Sequence, residues 1–473
     1  MSIDSRNFPC GRVESAAHFN RRELLARAGA GFGMLALADL LRQDGLLAAA
    51  ETVTKGPDFP PCAKAIIWLY MEGGPSAVDL FDPKPQLTKF DGKQPPVKIE
   101  TFFGRPGPLM KSPFEFKQYG QCGAWVSDAY AKLAAHVDDI AFIKSCQADS
   151  NNHAAAMFQM NTGQIRPGFP SAGAWTTYGL GSENKNLPGF VVLPTPVGSK
   201  GGPGNWGAGF LPSAYQGTTL RPGGVPILNL DPPSGMDRER QRRLLDLAGE
   251  WNREHARQRP GEPDLLARIE SYEMAFRMQT EAKEAVDLGK EPQSIRTLYG
   301  LDDPETREFG EKCLLARRMV ERGVRFIQIY PNQEWDAHSR LKDNHGKRCQ
   351  ESDQPIAALL TDLKSRGLLQ STLIIWGGEF GRMPVSEGNL GRDHNNKGFL
   401  VWMAGGGIKG GTSYGATDDI GYEAVENPVS VHDLHATILH QMGVDHTKLT
   451  YLHNGRRYRL TDVSGIVIDK ILA

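Results

Sequence analysis

The stretch IIWGGEFGRMPVSEGNLGRDHNNKG, residues 374–398, decides how this chain is read. An apolar run closes on Gly377-Gly378 and delivers Glu379 and Arg382. A loop then brings Asp393-His394 just ahead of the next apolar run, GFLVWMAG. Short apolar runs bounded by glycine read as buried strands, and in open α/β sheets ligands sit outside the carboxyl ends of the strands. The quoted stretch is therefore one wall of a site.

Outward from it, the last third of the chain alternates regularly. A helical pattern (REFGEKCLLARRMVERG) precedes the strand VRFIQIY, a second (SDQPIAALLTDLKSRGLL) precedes STLIIWGG, and a third (VSVHDLHATILHQMG) follows GFLVWMAG. Strands separated by helices of this length predict a mostly parallel sheet with helices on both faces, a three-layer α/β/α sandwich. Earlier strands are predicted from Ala65 to Met71, at DIAFIKS and at GFVVLP, and VSDAYAKLAAHVDD reads as a helix. The Gly- and Pro-rich segments 91–123 and 167–233 read as long loops.

Composition narrows the classes of function. With Lys+Arg 54 against Asp+Glu 55 and a net charge of −1, the 473 residues carry no basic footprint for nucleic acid or an anionic membrane. Arg21-Arg22 ahead of a mildly apolar, small-residue-rich segment ending at Ala48-Ala49-Ala50 has the layout of a twin-arginine export signal. That layout predicts a signal over 1–50, a linker over 51–64, one domain over 65–473 and a periplasmic or otherwise exported protein. Asp39, Arg42 and Asp44 interrupt the apolar part, so it is too polar to span a membrane. The six cysteines show no C-x-x-C spacing; loss of Cys10 with the signal leaves an odd number, with Cys122 and Cys146 one conceivable pair.

The chemistry-bearing residues follow strands. PNQEWDAHSRLKDNHG, after VRFIQIY, carries Asp336 and His338, which project to one side of an extended backbone; Glu379, Asp393 and His394 come from the next strand end and its loop. Carboxylate oxygens and imidazole nitrogens gathered from several strand ends suit a divalent cation: zinc, manganese or calcium, as one or two ions. Taken singly, each pair also reads as an ordinary exposed loop. His432, His435 and His440 share one helical pattern and read as helix-face residues, and His136, His255 and His446 have no evident partner.

The motifs GGPSAVDLFDPKP (73–85), WDAH (335–338), GGEFGR (377–382), GRDH (391–394) and NPVSVHDLHATILHQMGVD (427–445) together resemble a large family of twin-arginine-exported bacterial proteins of unknown function, placed in the alkaline phosphatase and sulfatase superfamily. The resemblance runs from Ala65 to the C-terminus. It implies an alkaline-phosphatase-like sandwich with a two-metal site at the strand ends, where a metal-activated nucleophile attacks a phosphate or sulfate ester. Asp336 and His338 resemble the superfamily's Asp and His ligands, Glu379 stands where it has an Asp-His pair, and His394 resembles its last His ligand. Asp79 and Ser76 match the exported family's own pattern and are preferred over Glu72 as further ligands.

The sulfatase motif C-x-P-x-R is not reproduced, because CQADSNNHAAAMFQMNTG keeps Cys146 without the Pro and Arg. Ser150, His153 and Arg382 are then the catalytic candidates, with His153 binding substrate, acting as general acid or capping a helix. The expected function is an exported, metal-dependent hydrolase of a small-molecule or polysaccharide ester. The alternative is a non-catalytic, metal-binding or polysaccharide-associated exported protein, and a phosphate-transferring mutase is a third reading. Neither composition nor motif fixes an oligomeric state.

Overall fold

A computed structural model describes residues 56–473, apart from 103, 222–226, 228–231, 233–234 and 260–262. The expected export signal and the first part of the linker, like Cys10, lie outside the described residues.

Apolar runs with few polar interruptions become the central strands of one nine-stranded sheet, and short polar segments complete its edges. In chain order these are β1 (Ala65–Tyr70), β2 (Ile140–Gln147), β3 (Phe190–Leu193), β4 (Thr218–Thr219), β5 (Phe326–Ile329), β6 (Thr372–Gly377), β7 (Phe399–Ala404), β8 (Thr412–Tyr414) and β9 (Val429–Ser430). The spatial order is β8-β2-β7-β6-β1-β5-β3-β4, with β9 also paired to β2. Every pairing is parallel except those of β7, which runs against both β2 and β6.

All six residues of β1 are buried, as a central strand covered on both faces requires. On one face Ile67, Leu69, Ile327, Ile329, Trp376 and Trp402 share a core with Met278, Phe309, Cys313, Ile356 and Leu359. Those partners come from the helices α4 (Pro263–Val286), α5 (Pro304–Glu321) and α6 (Leu341–Ser365). On the other face Trp68 meets His435 at 6.5 Å, Gln328 donates to Asn161 at 2.6 Å, and Phe190 and Phe326 lie 5.0 Å apart. His435 and Asn161 belong to α7 (Val431–Gln441) and α1 (His153–Thr162), and α2 (Ala172–Leu180) covers the same side. The remaining long helix, α3 (Arg238–Arg257), packs on α4. The expected α/β/α sandwich is present.

Two local expectations are corrected. VSDAYAKLAAHVDD forms a short strand end and two 3-10 segments, Asp128–Tyr130 and Leu133–Asp139, instead of an α-helix. The Asp353 carboxylate takes the Lys132 and Leu133 N–H groups at 2.9 and 2.7 Å, which anchors the backbone there by a side chain. The helix expected from Ser352 begins at Leu341 and carries Pro355 inside it. Among the described residues the five cysteines are free, with Cys146 buried and Cys122 exposed, so the conceivable pair is not formed.

The parallel topology sends the carboxyl ends of β1, β2, β3, β5 and β6 to one edge of the sheet. Because β7 alone is reversed, the residues preceding it reach that same edge. Five strand ends and one strand start therefore converge, with the loops beside them carrying acids and histidines.

Candidate metal centre

Four donors meet at that edge. His153, Asp336, His338 and His394 each offer an atom within 4.8 Å of all the others. Asp336 and His338 follow β5, and His394 precedes β7 in a two-residue antiparallel ladder with Arg382. His153 opens α1 just after β2, where the Asn152 side chain caps the helix by accepting from Ala155 N.

Each imidazole is held by its far nitrogen. His153 Nδ1 donates to Glu379 Oε1 at 2.6 Å, His338 Nδ1 to Glu387 Oε2 at 2.6 Å, and His394 Nδ1 to the Asn151 carbonyl at 2.7 Å. Carboxylate and carbonyl oxygens only accept, so the proton of each neutral ring sits on Nδ1 and Nε2 presents a lone pair inward. His338 Nε2 and His394 Nε2 face each other at 2.9 Å, and each also faces Asp336 Oδ1, at 3.1 and 3.5 Å. His153 Nε2 lies 3.1 Å from Asp336 Oδ2 without hydrogen-bond geometry and is buried with no hydrogen-bond partner. Lone pairs aimed at one another are repulsive unless a cation lies among them. Four donors placed about 2.0–2.1 Å from a zinc-sized ion in a tetrahedron stand about 3.3 Å apart, and the separations of 2.9 Å between His338 and His394 and of 3.1, 3.1 and 3.5 Å from Asp336 to His153, His338 and His394 lie on either side of that value. The residues present fit a divalent cation.

The electrostatics agree. In the metal-free protein burial alone would raise the Asp336 carboxyl, but the His153, His338 and His394 rings that face it, when they take up a proton on Nε2, and the charge of Arg382 hold it well below the usual carboxylate range. His153 is raised: burial opposes this, and the Asp336 and Glu379 carboxylates outweigh it. His338 is raised chiefly by the Asp336 carboxylate, which favours a second proton on Nε2 when no cation is present, whereas His394 is lowered chiefly by burial. Glu72, at the end of β1, is pushed up to about 7 by burial and then by the nearby Glu379 charge.

The other expected residues fall around this centre. Glu379, fully buried, lies behind His153 and also accepts from Gly73 N at 3.0 Å. Arg382, equally shielded, donates to the Gly73, Gly74 and Arg392 carbonyls and to Asp336 Oδ1 at 2.7 Å, so it positions a donor instead of facing a substrate. Asp393 accepts from Phe102 N at 2.5 Å and His394 N at 2.7 Å, and forms a second possible group with His338 and Glu387.

Asp79 and Ser76, expected as ligands, are not brought to the cluster. Asp79 grips Arg392 at 2.7 and 3.1 Å, because a fully buried guanidinium requires a counter-charge, and Ser76 Oγ hydrogen-bonds to Asp79. Ser150, expected to be catalytic, accepts from Asn152 N at 3.1 Å, and Cys146 is buried in β2 with its thiol pKa pushed up by burial. Glu387, Asn151 and Lys200 were not anticipated. The Lys200 Nζ stands 3.0 Å from Asp336 Oδ2.

Close backbone approach depends on two glycines. A Cβ on Gly73, whose φ is +107°, would lie 2.4 Å from Trp335 N, and one on Gly391 would lie 2.1 Å from the His338 carbonyl group. Rings complete the walls: Phe380 lies 4.8 Å from His153 and 4.6 Å from His394, and Phe102 lies 5.4 Å from His394.

No helix among the described residues is long and apolar enough to cross a membrane. No curated protein sequence matches the chain. Solved structures align with it at low similarity. The alkaline phosphatase from the Antarctic bacterium TAB5 is 12% identical, covering 73% of this chain and 92% of its own, with a TM-score of 0.32. A Pseudoalteromonas sulfatase is 12% identical over 81% and 68%, with a TM-score of 0.34. The phosphonate monoester hydrolase of Silicibacter pomeroyi is 13% identical over 66% and 68%, with a TM-score of 0.32. Residues 63–472 match a family described as Protein of unknown function (DUF1501), and the chain belongs to that family.

Proposed function

We propose that the protein is a metal-dependent hydrolase of a phosphate or sulfate ester, exported in folded form by the twin-arginine route, with one cation held by His153, Asp336, His338 and His394. The observation that carries this reading is the inward convergence of three Nε2 atoms and one carboxylate, each ring fixed by an acceptor on Nδ1. A donor set of three imidazoles and a carboxylate favours zinc or manganese over calcium, which prefers oxygen. A divalent cation supplies Lewis-acid polarisation of an ester oxygen and a lowered pKa for water.

The chain's own residues supply the rest. Glu379, Glu387 and the Asn151 carbonyl orient the rings, Arg382 fixes Asp336, and Phe380 and Phe102 shield the rings from water. Export rests on Arg21-Arg22 and its apolar sequel. One observation favours the second reading, a non-catalytic metal-binding protein: the Ser76 hydroxyl is taken by Asp79, the Ser150 hydroxyl accepts from Asn152 N, and the Cys146 thiol is buried against the Ile143 carbonyl. Turnover of aryl phosphate and aryl sulfate esters by the zinc- or manganese-loaded protein, lost in His338→Ala, supports the hydrolase. A loaded protein that turns over neither ester, nor a sulfated polysaccharide, contradicts it and favours the second reading.

A further inference from the structure

Lys200 stands beside the metal centre on a loop whose backbone is tied down. Lys200 N donates to Glu72 Oε1 at 2.7 Å, and the buried Asn205 donates from Nδ2 to the Lys200 carbonyl at 2.9 Å. Its side chain is 35% exposed and reaches two carboxylates, Asp336 Oδ2 at 3.0 Å and Glu334 Oε2 at 2.7 Å. Asp336 Oδ2 is also the oxygen that His153 Nε2 faces. An ammonium on a carboxylate and a divalent cation on the same carboxylate compete for its lone pairs and repel each other.

We propose that Lys200 is the counter-ion of Asp336 in the metal-free protein, and that on metal loading it is released towards Glu334 and the anionic group of a ligand. This rests on the metal-centre reading. Glu334 makes the exchange feasible: its oxygen already lies within reach of Nζ, so the ammonium keeps one partner while it gives up the other. The four-carbon stem and the point charge of lysine suit an oxyanion that arrives from the exposed side. A phosphate or sulfate group has this chemistry.

The two halves of the proposal move in opposite directions, which makes them separable from a general weakening of the site. Zinc affinity is measured by competition with a chromogenic chelator for wild type, Lys200→Met and Lys200→Arg, and inorganic phosphate is then titrated into each zinc-loaded protein. Lys200→Met is expected to bind zinc about tenfold more tightly and phosphate about tenfold more weakly, the size of an ordinary coupling between sites. Lys200→Arg, which keeps the charge, is expected to stay near wild type in both. If wild type binds zinc and Lys200→Met binds it no more tightly, the lysine proposal is overturned and the metal centre stands. Unchanged phosphate affinity in Lys200→Met overturns the anion-holding half. A wild type that binds no zinc removes both.

Discussion

Replacing Glu379 with glutamine tests whether the carboxylate behind His153 sets the metal affinity. Glutamine has the same shape, so the fully buried site is not emptied. In the native chain one carboxylate serves two N–H groups, His153 Nδ1 at 2.6 Å and Gly73 N at 3.0 Å. Glutamine offers a neutral oxygen to one of them and turns its own donor towards the other. Loss of a carboxylate behind a metal-ligating histidine costs about 10–100-fold in affinity, or about 1.4–2.8 kcal/mol at about 1.4 kcal/mol per decade. A hydrogen bond to a charged group contributes about 1.5–3 kcal/mol, so the two routes agree. The assay is zinc competition on wild type and Glu379→Gln, with circular dichroism to show that the fold is retained. A folded variant whose zinc affinity stays within about threefold of wild type, well short of that range, would refute the reasoning.

Other perturbations reach different parts of the account. Asp79→Asn strands the buried Arg392 guanidinium and should cost about 3–5 kcal/mol of stability, read as a lower urea midpoint; an unchanged midpoint contradicts the pairing described. Gly391→Ala should weaken zinc binding or folding because its Cβ would meet the His338 backbone at 2.1 Å, whereas Gly346→Ala, on α6 with nothing within 4 Å, should stabilise the chain by about 0.5–1 kcal/mol. The opposite ranking of the two variants would count against the described backbone. His345 and His435 are both pushed down to about 3, chiefly by burial. The unfolded chain therefore binds more protons between about pH 3 and about pH 6.5, and this contribution to stability is intact above that window and declines as pH falls through it. The fall in denaturation midpoint between about pH 7 and about pH 5 should be shallower in His435→Gln than in wild type, and an equal slope in the two would contradict the neutral, buried state of that ring.

The central strands were legible because they are mostly apolar runs: AIIWLY and FLVWMA are apolar throughout, and FIQI is broken only by Gln328. Asp336, His338 and His394 were legible because each lies in a loop that borders such a run. Sequence could not distinguish an acid that faces the site from one that neutralises a buried arginine. Asp79 pairs with Arg392, 313 positions away, and no local pattern encodes that partner. The same limit placed Glu379 among the ligands when its carboxylate stands behind His153. His153 was noticed as a helix-start histidine, but its role depends on β2 delivering it opposite β5. Glu387 carries no signal of its own, since only the fold sets it against His338. The export layout at Arg21-Arg22 is read from sequence alone.

The most direct measurement is the metal content of the purified protein by elemental analysis, run beside His394→Ala and the exposed control His255→Ala on α3. One zinc or manganese per chain is expected in wild type and in His255→Ala, and its loss in His394→Ala. Equal metal content in all three, or none in wild type after incubation with zinc and with manganese, would contradict the proposed centre.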